Sequence, residues 1–198
     1  NVKAVDYAYY KNNTILRRIT RRMALTKIEE LEKYAQALKK NPEELTALYQ
    51  DLLIKVTSFF RAPATYAALK NLVIPKLMAG RRREEPLRIW IAGCASGEEV
   101  YSIAICFLEF MEKTPGAPPL QNFATDIDER ALEKARAGFY LENIAIDVSE
   151  ERLRHFFTKV DHRYRIAKSV RDTCTFARHD LGKDPPFSNL DLISCRNV

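Results

Sequence analysis

The sequence predicts an α/β protein: a small N-terminal helical bundle followed by a Rossmann-like sheet that carries a small antiparallel β insertion. Three observations predict it. Apolar residues between about 12 and 52 recur at helical spacing. Leu87 to Ala92 is an apolar run, as a buried parallel strand requires, and a small-residue loop and a helix follow it. Further strand-like runs then end in polar residues, at Asn122–Asp128, Thr173–Arg178 and Asn189–Cys195. The predicted domains are residues 1–62 (helical), 63–86 (a linking helix and loop) and 87–198 (the sheet, with the insertion at about 139–172).

The first helix spans about 12 to 25. Ile15, Leu16, Ile19 and Met23 form one face, and Arg17, Arg18, Arg21 and Arg22 project from the other by the 100° step. Thr26-Lys27-Ile28-Glu29 has the form of a capping box that opens a second helix, with Ile28, Leu31, Tyr34, Ala35 and Leu38 inward. Asn41-Pro42 caps and starts a third, whose buried side is Leu45, Leu48, Tyr49 and Leu52. Phe59 and Phe60 read as core, and Arg61 beside them is placed to reach a ligand. A helix over about 63–77 leads to a polar, basic loop, Ala79 to Pro86, expected to be exposed.

In the sheet domain, Val100, Ile103, Ala104, Phe107, Leu108 and Met111 mark the helix after the first strand. A Pro/Gly loop over 113–119 precedes the second strand. Its acidic end offers Asp126 for ribose hydroxyls, since ligands sit beyond the carboxyl ends of such strands. Asp128 reads as the cap of a helix over 129–137 that Gly138 stops. Residues 139–172 break the strand–helix alternation, with a short helix near Ser149–Phe157 and a strand near Tyr164–Lys168.

Net charge is +6, from 32 basic and 26 acidic residues, which points to an acidic partner. No apolar run approaches the roughly 20 residues of a membrane span, and residues 1–10 do not read as a signal peptide. Cys94, Cys106, Cys174 and Cys195 lack metal-ligand spacing and sit in apolar stretches, so no metal and a reduced, cytoplasmic compartment are expected.

The loop Gly93-Cys94-Ala95-Ser96-Gly97 narrows the ligand. A dinucleotide fingerprint has three glycines and leaves the helix N-terminus bare for pyrophosphate. Here Glu98 and Glu99 occupy the first turn, where they would repel a diphosphate and attract a cation. S-adenosylmethionine, a nucleoside with an ammonium and a sulfonium and no phosphate, fits that pattern. The alternative is that the glutamates only complement the helix dipole.

These pieces together resemble the CheR family of chemotaxis receptor methyltransferases. The resemblance lies in Leu52-Leu53-Ile54-Lys55-Val56-Thr57-Ser58-Phe59-Phe60-Arg61, in Gly93-Cys94-Ala95-Ser96-Gly97-Glu98-Glu99-Val100-Tyr101-Ser102, in Ala124-Thr125-Asp126-Ile127-Asp128 and in Ser194-Cys195-Arg196-Asn197-Val198. It covers nearly the whole chain. It implies a methyltransferase sheet with S-adenosylmethionine as cofactor, methylating glutamate carboxylates of chemoreceptors. It further implies that Thr57 and Arg61 contact the cofactor from the helical side and that Gly93 lies in the loop beneath it. Glu98 would face its methionine part, Asp126 its ribose, and Asp180 and Leu181 its adenine, with Arg196 and Asn197 closing the pocket. Arg17, Arg18, Arg21 and Arg22 would meet the acidic methylation helices of the receptor. Two departures stand out. Lys55 occupies a place where the family often has asparagine, and the family's next segment, with a tyrosine and the last strands, would follow Val198.

A glutamate acceptor is already ionised at pH 7, so no catalytic acid or base is expected. Two other functions compete. One is a non-enzymatic receptor-docking or cofactor-binding piece. The other is a nucleic-acid methyltransferase, suggested by Asp184-Pro185-Pro186-Phe187, although that motif precedes the fourth strand instead of following it.

Overall fold

The structure is a computed structural model that describes residues 12–52 and 57–197. It divides into two compact units, on either side of residues 54 and 55.

The first unit has three helices: α1 (Asn12–Thr26), α2 (Leu31–Lys40) and α3 (Pro42–Leu52). Tyr34, Leu48 and Leu52 form its core, with Ile15, Ile19, Met23, Ile28 and Leu38 packed around them. Asn41 caps α3 as expected, its Oδ1 accepting from the backbone N–H groups of Glu43 and Glu44, both at 3.1 Å.

Two expectations fail in this unit. Thr26 does not cap α2; its hydroxyl donates back to the carbonyls of Arg22 and Met23, ending α1. Lys27 then turns left-handed, and α2 starts four residues later without a side-chain cap. Leu31 is therefore exposed rather than inward. Nor is Arg22 part of a solvated basic face. Its guanidinium pairs with both carboxylate oxygens of the buried Glu44, which also accepts from the Tyr34 hydroxyl at 2.7 Å. Hydrogen bonding to Arg22 outweighs burial and holds Glu44 below the usual carboxylate range, while burial and that carboxylate push Tyr34 up to about 12.

The second unit begins with a turn over residues 57–62 that was expected in the helical domain. Phe59 and Phe60 belong to the core of this second unit, which moves the turn across the boundary. One helical run follows: α4 (Pro63–Ala68), a π turn (Leu69–Val73) and α5 (Ile74–Met78). The widened turn precedes Pro75, whose ring and missing N–H an uninterrupted α-helix would not accept.

The sheet has four parallel strands in the order β6-β2-β1-β7: β1 (Leu87–Ala92), β2 (Leu120–Asp126), β6 (Cys174–Arg178) and β7 (Leu192–Cys195). Helix α6 (Glu98–Met111) covers one face, and Val100 to Phe107 are all buried. Helix α7 (Glu129–Ala137) is capped by Asp128, which accepts from the Arg130 N–H, and stopped by left-handed Gly138, both as expected.

The insertion forms a separate antiparallel sheet, β3-β5-β4, from β3 (Phe139–Leu141), β4 (Phe157–Val160) and β5 (Arg163–Ile166). It carries α8 (Glu150–Phe156), with Ser149 as cap, and returns to the main sheet through α9 (Lys168–Arg171).

The Ala79–Pro86 loop is only partly the exposed stretch expected. Arg81 is half-buried, paired with Asp191 and donating to the Pro86 carbonyl at 3.0 Å. Cys195 also departs from expectation: it is exposed, whereas Cys94 and Cys106 are buried.

Candidate functional site

The carboxyl ends of four parallel strands meet at one edge of the sheet, where a doubly wound fold binds its ligand. The register places the loop after Ala92, the end of β2 at Asp126, the end of β6 at Arg178 and the end of β7 at Cys195 side by side. That edge gathers Gly93, Glu98, Asp126, Asp180, Leu181, Arg196 and Asn197, residues far apart in the chain.

The loop from Gly93 to Gly97 turns sharply, with left-handed backbone at Gly93 (φ 68°), Ala95 (φ 46°) and Gly97 (φ 94°). Gly97 has a second reason to be glycine. A Cβ there would lie 2.9 Å from Cβ of Ala135 and 3.1 Å from the Tyr140 hydroxyl. The close approach of the loop to α7 depends on that missing carbon.

Asp126 ties the loop to β2. One carboxylate oxygen accepts from the Ala95 N–H and the other from the Asp128 N–H, both at 2.8 Å. An ionised carboxylate can accept further donors beyond these. Burial raises Asp126 above its ordinary value, against the backbone donors of Asp128, Ala95 and Ile127 that favour its charge.

The two glutamates of the first turn of α6 differ. Glu99 is engaged with β7: it accepts from the Ser194 hydroxyl at 2.6 Å and lies 3.7 Å from Arg196. Glu98 accepts from the Ser96 hydroxyl, at 2.8 and 3.0 Å to its two oxygens, and burial raises its pKa. A half-buried carboxylate whose charge burial disfavours is stabilised by a cation beside it. Two acids at the helix start also make the site unfavourable for a phosphate.

Thr57 and Arg61 lie on the turn before α4. That turn reaches the site because the Phe60 N–H donates to the Ser102 hydroxyl on α6 at 3.0 Å and Arg196 donates to the Arg61 carbonyl at 2.9 Å. Arg196 also lies over the Tyr66 ring at 5.6 Å. Its guanidinium is thus committed to holding the turn and Glu99. Asp180 closes its own turn, accepting from the Gly182 N–H at 3.0 Å, and Leu181 next to it stays 45% exposed. Asn197, left-handed at φ 58°, is exposed at the end of β7. Arg17, Arg18 and Arg21 lie on α1 in the other unit, with Arg17 and Arg21 exposed. Lys55 falls outside the described residues.

Three residues that hold the site were not legible as such in the sequence. Tyr140, from the insertion, donates to the Ser96 carbonyl at 2.7 Å and pins the glycine loop. Ser102 bridges the turn and α6, donating to the Glu98 carbonyl at 2.6 Å. Glu99 anchors β7. Glu99 and Ser102 stand in the glycine-loop motif, but their partners on β7 and at the Phe60 N–H lie far along the chain, and Tyr140 stands outside any motif.

Asp184-Pro185-Pro186-Phe187 packs on the other face of the sheet. Phe187 stacks on Phe123 (5.5 Å) and His179 (5.6 Å) and meets Trp90 edge-on. The segment covers the sheet there, and Phe187 is spent on it.

Residues 55–198 match the CheR methyltransferase SAM-binding domain, and residues 4–53 the CheR all-alpha domain. The chain belongs to the CheR methyltransferase family. S-adenosylmethionine is the cofactor of that family's sheet domain, and the donor set around Glu98 and Asp126 fits it. A chemotaxis protein methyltransferase of Listeria monocytogenes is 34% identical over 98% of this chain and 72% of its own length. A chemotaxis protein methyltransferase of Listeria innocua is 33% identical over the same shares. An uncharacterized 104.1 kDa protein from the hypE 3' region of Rhodobacter capsulatus is 42% identical over 98% of this chain, which spans only 20% of that protein. Among the described residues, no helix is long and apolar enough to cross a membrane, and no cluster of metal-binding side chains occurs.

Proposed function

We propose that the chain is the cofactor-binding part of an enzyme that methylates glutamate carboxylates of chemoreceptor helices in the cytoplasm, forming methyl esters. Glu98 carries the reading: a half-buried carboxylate, raised by burial, at the start of α6 in a loop that disfavours phosphate. The family and the chemotaxis names of the Listeria relatives support the substrate class.

When bound, the cofactor supplies a sulfonium-activated methyl group. The chain's residues then have four tasks. Glu98 holds the ammonium, and Asp126 accepts the ribose hydroxyls. Leu181 and Asp180 border the adenine. Thr57 and Arg61 approach from the turn that Ser102 and Arg196 secure, with Asn197 at the rim. The acceptor carboxylate is ionised at neutral pH, so the rate rests on alignment and exclusion of water, and no side chain has to take a proton. Arg17, Arg18 and Arg21 draw an acidic receptor helix; Arg22, occupied by Glu44, supports the unit instead.

The test is chemical. Receptor cytoplasmic fragments, RNA and DNA are incubated with labelled cofactor and the parent protein that contains this chain. Label is expected in receptor alone, and mild alkali should release it as methanol. Alkali-stable label, or label in nucleic acid, would falsify the glutamate reading.

A further inference from the structure

The turn that presents Thr57 and Arg61 is strained. Phe60 (φ 49°) and Ala62 (φ 62°) are both left-handed without being glycine, a conformation that survives only where the surroundings impose it. Two of the constraints, from Ser102 and Arg196, come from the site itself. The third comes from the insertion. The Arg152 guanidinium of α8 lies 4.0 Å from the centre of the Phe60 ring. It is held there by Glu109 on α6, at 2.6 Å to Oε1 and 3.1 Å to Oε2. Lys70, on the π turn, donates to the same Oε2 at 2.7 Å.

Burial opposes the charge on Glu109, yet the two cations outweigh it and keep the carboxylate below its ordinary range. A cavity of about 820 Å³ opens beside these groups, lined by Lys70, Cys106, Glu109, Arg152 and Phe156 among others. Packing therefore leaves Arg152 free on that side, and the ion pairs fix its position over the ring.

We propose that Arg152, oriented by Glu109 and Lys70, is a positioning residue for the cofactor that acts through Phe60 on the turn carrying Thr57 and Arg61. The insertion thereby holds the cofactor site from two sides, since its Tyr140 also pins the glycine loop. The neighbouring Phe59 also packs on the insertion, its ring 4.8 Å from Tyr140 and 5.5 Å from Phe157. This assignment rests on the cofactor reading of the site.

Two readouts test it on the full chain. The first uses no ligand: amide hydrogen exchange at Phe60 and Arg61 should quicken in Arg152→Met, which keeps length and loses charge, and in Glu109→Gln. The second is calorimetry with S-adenosylhomocysteine below the unfolding range. Arg152→Met should weaken binding about 2- to 30-fold, the span of a cation–π contact from exposed to desolvated. Arg152→Lys should recover part of that loss. In an Arg61→Ala background the effect of Arg152→Met should shrink, because it works through the same turn. Unchanged exchange at Phe60 and Arg61, or an unchanged dissociation constant in Arg152→Met, overturns the proposal. If the unaltered chain fails to bind S-adenosylhomocysteine, the cofactor reading falls, and the exchange result still decides whether Arg152 holds the turn. If Arg152→Met does not fold, Glu109→Gln carries both measurements.

Discussion

Replacing Ser102 by alanine tests how the cofactor turn is attached to α6. The side chain is fully buried, donates to the Glu98 carbonyl at 2.6 Å and accepts the Phe60 N–H at 3.0 Å. Alanine deletes only the oxygen, so packing volume hardly changes. The Phe60 N–H, in a residue 6% exposed, is then left without its acceptor. An orphaned buried donor costs about 1–3 kcal/mol. For a chain of this size each kcal/mol lowers the melting temperature by about 2–4 °C, giving a fall of roughly 2–12 °C. Two compact units can unfold in separate steps, so the transition must be assigned. Trp90, the sole tryptophan, lies in β1 and reports the sheet unit alone. Urea unfolding followed by Trp90 fluorescence should show the loss, and S-adenosylhomocysteine should bind more weakly because the turn is released. A variant with the stability and affinity of the unaltered chain would mean that water replaces the hydroxyl and that the turn is held by other contacts.

Other predictions follow from the same geometry. Gly97→Ala adds left-handed strain and a Cβ 2.9 Å from Ala135; the two together should destabilise the sheet unit by about 2–5 kcal/mol, and loss below 1 kcal/mol in urea unfolding would contradict the close approach. Because burial raises Glu98, the ammonium-bearing cofactor should bind more tightly as pH rises through that raised value, and Glu98→Gln should flatten the dependence in a calorimetric pH series. Glu44 has the opposite sign. Its folded pKa is lowered, so its contribution is present above the unfolded carboxylate value and is lost as pH falls through the folded one; Arg22→Met should remove about 1.5–3 kcal/mol and blunt the acid loss, read by circular dichroism. Reversing Arg17 and Arg21 to glutamate should slow receptor association and weaken its salt dependence while leaving cofactor affinity unchanged; a salt-independent rate in the unaltered protein would remove the steering role.

The sequence alone determined the elements whose signals are local. Apolar periodicity marked α6, short apolar runs marked the parallel strands, and side-chain caps marked α3 and α7 at Asn41 and Asp128. The strand–loop–helix pattern pointed to a ligand edge at the carboxyl ends of the strands, with Glu98 and Asp126 as candidates there, but the strand order β6-β2-β1-β7 came only from the structure. What only the tertiary structure decided was how each charge and hydroxyl is spent. Arg22 looked like its three neighbours on α1 until Glu44, 22 residues away, came within reach. Thr26 matched a capping pattern, yet its hydroxyl bonds the turn behind it and α2 starts later. Glu98 and Glu99 are adjacent and chemically identical, and the approach of β7 is what gives Glu99 its partners Ser194 and Arg196. The turn at 57–62 joined the sheet unit for the same reason: Ser102 and Arg152 hold Phe60 from 42 and 92 residues further along the chain. Periodicity and caps report interactions within a few residues, whereas the partner of a buried polar group is chosen by which distant segment the core brings beside it.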